Sequence, residues 1–196
     1  HPGPATRALI AAVEGFIRRE HGSASEAAFS RSVNGQAYKL VRDNSHVWAH
    51  DPDRSYGHDG EALMVKFLSA FVELPEADAC GMAEQIARGP GWAFLWSRLF
   101  LAAVRRDDSC VDLLWPIAAD EAWLTQPETR KDAIDLVAKG YARRTAEERG
   151  RLESAAAAFA MDGYTQPDAA RTALMHRLFS VIGRTQLVTD RAKAVL

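Results

Sequence analysis

At 196 residues, with 47% hydrophobic and 26% charged side chains, the chain has the make-up of one folded unit that buries a core, which excludes a disordered tail. Its net charge of −2 is evenly spread: residues 1–98 hold 10 Lys and Arg against 12 Asp and Glu, and residues 99–196 hold 14 against 14. No basic stretch supplies the electrostatics of nucleic-acid binding, and no apolar run reaches the ~20 residues of a membrane span, so neither partner is expected.

The opening His1-Pro2-Gly3-Pro4 has no signal-peptide pattern and no initiator Met, and it reads as a cut end. Leu9, Ile10, Val13, Phe16 and Ile17 recur at helical spacing and predict a helix over 5–20 that stops at His21-Gly22. Residues 24–45 suggest short helices, one capped by Ser25 and running to Phe29, another over Ala37–Val41. From His46 to Asp59 the chain is polar and punctuated and predicts a long loop dividing an N-terminal part from residues 60–196.

Asp59 caps an apolar helix over 60–74 that Leu74-Pro75 ends, because the residue before proline is pushed out of helical geometry. A helix over 76–88 follows, broken by Gly89-Pro90-Gly91. Residues 92–105 are apolar around most of the circumference and predict a helix inside the structure. Residues 109–124 predict a helix kinked or split by Pro116. Cys80 and Cys110 lie in these apolar segments. Two cysteines are too few for a disulfide framework and read as buried, reduced thiols of a cytoplasmic protein.

Thr125-Gln126-Pro127-Glu128 returns 40 residues later as Thr165-Gln166-Pro167-Asp168. Each copy has the residues of a helix start: a capping hydroxyl, a proline in the first turn and an acid at the positive helix end. A helix-start signal at that interval falls in the range of HEAT or armadillo repeats. The copies open helices over 127–141, with Asp132, Asp135 and Lys139 facing outward, and over 167–182. Between them Thr145-Ala146-Glu147-Glu148 is a capping box opening a helix over 146–161. The last helix, 185–196, ends at Ala194-Val195-Leu196 without a stop signal. No run alternates as a sheet requires. The expected fold is all-α: antiparallel helical hairpins stacked as an α-solenoid, a HEAT- or TPR-like right-handed superhelix of about 8–10 helices, in one segment 1–196 cut from a larger protein.

The titratable cluster is His46, His50, Asp51, Asp53, His58 and Asp59. His46-x3-His50 with an aspartate suits a divalent metal, and His21, His50-Asp51 and a distant Asp112 suit a metal-dependent, HD-like hydrolase. Pro52, Gly57 and Gly60 favour a polar loop held by side-chain turns instead, so no metal, cofactor or catalytic residue is assigned. Trp92, Phe94, Trp96, Phe100 and Trp115 read as core. Trp123, beside Asp120 and Glu121 near a helix end, reads as a rim residue, and with Arg143 and Arg144 it forms the candidate protein-binding set.

WAFLWSRLFLAAVRR (92–106), DLLWPIAADEAWLTQPETRKDAIDLVAKGY (112–141) and TAEERGRLESAAAAF (145–159) together resemble the helical-repeat region of large bacterial STAND-type NTPases of antiviral-defence (AVAST-like) systems. The matching pieces are Leu114-Trp115-Pro116, Glu128-Thr129-Arg130, Tyr141 and Glu147-Glu148-Arg149. Ala142 stands where the family often has proline. The resemblance implies a non-catalytic sensor segment that recognises a foreign (phage) protein, with the NTPase and effector elsewhere in the chain. A protein partner, other domains of the same chain, or self-association is therefore expected. The competing expectation is a small all-α hydrolase built on the His46–Asp59 cluster.

Overall fold

Apolar side chains recurring at three- and four-residue intervals make helix the dominant element. The computed structural model describes residues 3–21, 28–48, 51–54 and 59–196. Helix makes up 67% of the described residues, in eleven helices with one two-stranded sheet. In chain order these are α1 (Gly3–His21), β1 (Ala28–Val33), β2 (Gln36–Val41), α2 (Ser45–Trp48), α3 (Asp59–Glu73), α4 (Glu76–Ala87), α5 (Ala93–Arg106), α6 (Ser109–Ala118), α7 (Glu121–Thr125), α8 (Arg130–Tyr141), α9 (Ala146–Ala156), α10 (Pro167–Ile182) and α11 (Asp190–Lys193). Among the described residues no helix is long and apolar enough to cross a membrane.

Local chemistry sets most helix ends. α3 stops before Leu74-Pro75, and its last carbonyls are taken up by Arg106, whose Nη1 donates to Phe71, Val72 and Leu74 at 2.7, 2.9 and 2.7 Å. Asp108 accepts from the Cys110 amide and opens α6, and Asp120 accepts from the Ala122 amide and opens α7. The capping box is present: the Thr145 hydroxyl accepts from the Glu148 amide at 3.2 Å, and the Glu148 carboxylate accepts from the Thr145 amide at 2.8 Å. Pro116 sits within α6, and the chain turns after Ala118 rather than at the proline.

Five expectations are corrected. Residues 28–41 form an antiparallel hairpin, not helices, because Asn34 (φ 51°) and Gly35 (φ 78°) make the left-handed pair that a two-residue hairpin turn demands. Asn-Gly was the signal; exposure along most of β1 hid the alternation. Ser25 lies outside the described residues. The two Thr-Gln-Pro copies are built differently: Thr125 closes α7, its hydroxyl donating to Glu121 O, and α8 opens only at Arg130, whereas Pro167 itself opens α10. The helix expected over 146–161 ends at Ala156, and that over 185–196 shrinks to α11. Asp132 is buried, not outward, for reasons given below.

The core centres on α5, where every residue from Ala93 to Ala103 except Leu101 is buried. Trp96 packs against Phe100, Trp123 and Tyr38, and its indole N–H donates to Lys39 O at 2.8 Å, which ties the hairpin to the helices. The Val41 amide donates to Gly91 O at 2.7 Å. Gly91 has φ 85°, and a Cβ there would lie 2.5 Å from Lys39 O, so only glycine lets this turn approach β2. One hydrophobic cluster runs from Val13 on α1 to Ala192 on α11.

Candidate recognition pocket

The pocket begins with Asp43, directly after β2. Its carboxylate accepts from the Ser45 amide at 3.0 Å, turning the chain into α2, and from the Phe94 amide at 2.7 Å in the first turn of α5. Trp92, the residue preceding α5, offers no side-chain cap, so Asp43 supplies that acceptor from a distant part of the chain. Burial pushes the Asp43 carboxyl above its ordinary range and the nearby Glu128 charge adds to this, against bonds from the Phe94 amide, the Ser45 hydroxyl and the Ser45 amide that favour the ionised form.

This anchoring places His46 of α2 over Glu128, with Nδ1 3.5 Å from Oε1, while Arg42 Nε donates to the same oxygen at 3.2 Å. Glu128 lies in the turn between α7 and α8, held there because the Thr129 hydroxyl donates to Trp123 O at 2.7 Å. Its side chain is 0% exposed. On α8 the Asp132 carboxylate accepts from the Ser97 hydroxyl of α5 and faces Lys131. Ser97 in turn lies 3.4 Å from Arg98 Nη1, whose guanidinium stands over the Phe94 ring at 5.1 Å. Burial pulls the Arg98 guanidinium down from its ordinary value, while Asp132 and Glu61 oppose that shift.

Between these groups lies a cavity of about 210 Å³, with Ser45, Glu128, Ser97, Arg98 and Asp132 among its lining residues. One buried polar atom in that lining, Glu128 Oε2, has no hydrogen-bond partner among the described residues. A buried polar group without a partner costs about 1–3 kcal/mol. Two larger grooves, of about 300 Å³ beside Trp115 and about 400 Å³ beside Trp92, hold no comparable set of buried charges.

Among the described residues no hydrogen bond joins His46 to Ser97, so the hydroxyl has a carboxylate partner but no imidazole base, and a nucleophilic relay has no geometry here. Two buried carboxylates, Glu128 and Asp132, line the cavity together with Arg98, Lys131 and His46. The open Glu128 Oε2 can accept a hydrogen bond from a donating group of a guest.

The expected site residues are distributed as follows. Trp123 is 0% exposed and packs edge-on against Trp96 at 5.3 Å; it is core, not rim, because Thr129 pins its carbonyl and folds the α7–α8 turn over it. Arg143 is tied to the α5–α6 connection through Asp107, Asp108 O and Asp112. Arg144 pairs with Asp112 and lies over the Trp115 ring at 5.2 Å. Both arginines bind their own molecule. Of the loop cluster, His46 joins the pocket, Asp53 pairs with Arg105 at 2.9 Å, and Asp59 opens α3; His50 and His58 lie outside the described residues, as does the side chain of His21. Asp112, the distant fourth member of the hydrolase set, belongs to Arg143 and Arg144.

Sequence reasoning gave no site role to Asp43, Ser97, Arg98, Glu128 or Asp132. One signal was available: Arg98 interrupts a helix apolar on nearly every side, and a cation there requires buried acceptors. Neither a protein-family model, nor a curated protein, nor a solved structure matches the chain.

Proposed function

We propose that the chain is a non-catalytic, protein-recognising helical segment of a larger bacterial multidomain protein, and that the cavity between α2, α5 and α8 receives a hydrogen-bond-donating group of its partner. The observation that carries this reading is the buried Glu128 carboxylate in the cavity lining, whose Oε2 has no hydrogen-bond partner among the described residues. The sensor region of an antiviral STAND-type NTPase is the context proposed for it, with a foreign protein as the target. Helices stacked as hairpins in a solenoid are part of the same proposal, supported by the mutual packing of α5, α6 and α8.

The test compares the wild-type chain with Ser45→Phe, which adds a ring to the cavity lining, as baits in extracts of phage-infected cells. The expected result is a protein bound stoichiometrically by the wild type and at least tenfold less by a variant whose circular dichroism is unchanged. Equal capture by both baits would reject the pocket. Turnover of phosphate esters with added divalent metal, abolished by His46→Ala, would replace the recognition reading with the hydrolase.

A further inference from the structure

Only two cysteines occur in the chain, on different helices, and the fold brings them together. Cys80 lies on α4 and is half-buried; Cys110 lies in the first turn of α6 and is buried. Their Sγ atoms stand 3.1 Å apart, and the Ser109 hydroxyl lies 3.2 Å from Cys80 Sγ. A disulfide needs its sulfurs at about 2.05 Å, so closure asks for roughly 1 Å of movement shared by two side chains. A pair of thiols with no structural disulfide around it, placed in contact by two packed helices, is more than the core packing of either cysteine requires.

We propose that Cys80 and Cys110 are a modification site: a dithiol that is converted to an intramolecular disulfide by a low-molecular-weight disulfide of the glutathione class. The order of attack follows from access. Cys80, the accessible thiol, gives up its proton to solvent, and its thiolate attacks one sulfur of oxidised glutathione. The glutathione S–S bond breaks, one glutathione leaves as thiolate and takes up a proton, and a mixed disulfide remains on Cys80. Cys110 then loses its proton and attacks Cys80 Sγ, and the second glutathione leaves. Two protein thiols are oxidised and one glutathione disulfide is reduced to two thiols. Burial and the neighbouring Cys80 and Asp108 raise the Cys110 thiol well above its ordinary value, which keeps it protonated until the mixed disulfide forms beside it and casts it as the resolving thiol.

The bond would tie α4 to the opening turn of α6 and close the segment that contains α5, the centre of the core. It rests on the cysteine pair alone and stands or falls separately from the recognition pocket.

The experiment treats the full chain with excess oxidised glutathione, then counts thiols after denaturation and measures the intact mass. The expected product is a monomer with no free thiol, lighter by two hydrogens, whose non-reduced digest joins the Cys80 and Cys110 peptides. Dithiothreitol restores both thiols. The oxidised form should melt about 5–10 °C higher, as a cross-link across some thirty residues implies. Cys110→Ser and Cys110→Ala should each stop with one glutathione held on Cys80, and Cys80→Ser should leave Cys110 at least tenfold slower than Cys80 to react. A wild-type chain that keeps both thiols, stops at the glutathione adduct or cross-links between molecules overturns the proposal, whether or not the variants fold.

Discussion

Single residues in this protein hold distant segments together through backbone carbonyls and amides. Arg106 is the clearest: one guanidinium nitrogen serves three carbonyls at the end of α3, while the same group pairs with Asp108. Charge-assisted bonds to backbone are worth more than neutral ones, and Arg106→Met removes that donor from all three part-buried carbonyls. The expected loss is about 2–4 kcal/mol, read from the urea midpoint at constant slope. Trp123 makes the companion case. Buried under Trp96, it should cost about 3–5 kcal/mol when truncated to Ala, whereas a rim residue would cost less than about 1 kcal/mol. A measured loss in the lower range would return Trp123 to the surface.

At the scale of elements, the hairpin is held to the helices by few contacts, and each is specific. The Gly91 turn must lie against Lys39 O, and φ at Gly91 is one that side chains with a Cβ rarely adopt. Gly91→Ala is therefore expected to push the turn away from β2 and to expose the Trp96 indole bond to Lys39. Near-ultraviolet circular dichroism of the tryptophans should change while the far-ultraviolet helix signal stays near that of the wild type; an unaltered near-ultraviolet spectrum would show that the turn tolerates a Cβ. Asp43 works the same way between elements, since its one carboxylate opens α2 and caps α5. Asp43→Ala is expected to destabilise the fold by about 2–4 kcal/mol, because two buried amides lose their acceptor.

The molecule as a whole carries a pH dependence that two buried carboxylates shape with opposite signs. Burial alone would raise Glu153, but bonds from Thr189, Tyr141 and the Val188 amide outweigh it and hold the carboxyl below its ordinary value. The folded form thus binds fewer protons than the unfolded chain. Glu153 stabilises fully above the unfolded pKa of about 4.3, and the contribution is lost as pH falls through the folded value. Asp43, raised by burial, contributes most at acid pH and loses that contribution as pH rises through its folded value. Urea midpoints for the wild type and Glu153→Gln should accordingly differ most near neutral pH and converge below about pH 4. A constant difference across that range would mean that the Glu153 bonds do not distinguish its charged form.

Helix existence was legible because it depends on neighbours in sequence. The apolar spacing of α1, the Leu-Pro stop of α3, the Thr145 capping box and the proline start of α10 are each decided within one or two turns of chain. The same local logic contained the hairpin turn at Asn34-Gly35, but a mostly exposed two-stranded sheet has no apolar alternation to announce it. What lay beyond the sequence was every decision made by two distant segments at once. Glu128 and Asp132 look like solvated acids of a helix start until α5 brings Ser97 and Arg98 against them and α2 brings His46. Cys80 and Cys110 look like separate core thiols until α4 packs on α6. Trp123 looks like a rim residue until the Thr129 turn closes over it. Burial and the pairing of charges are properties of the space between elements, and neither local propensity nor periodicity contains that space.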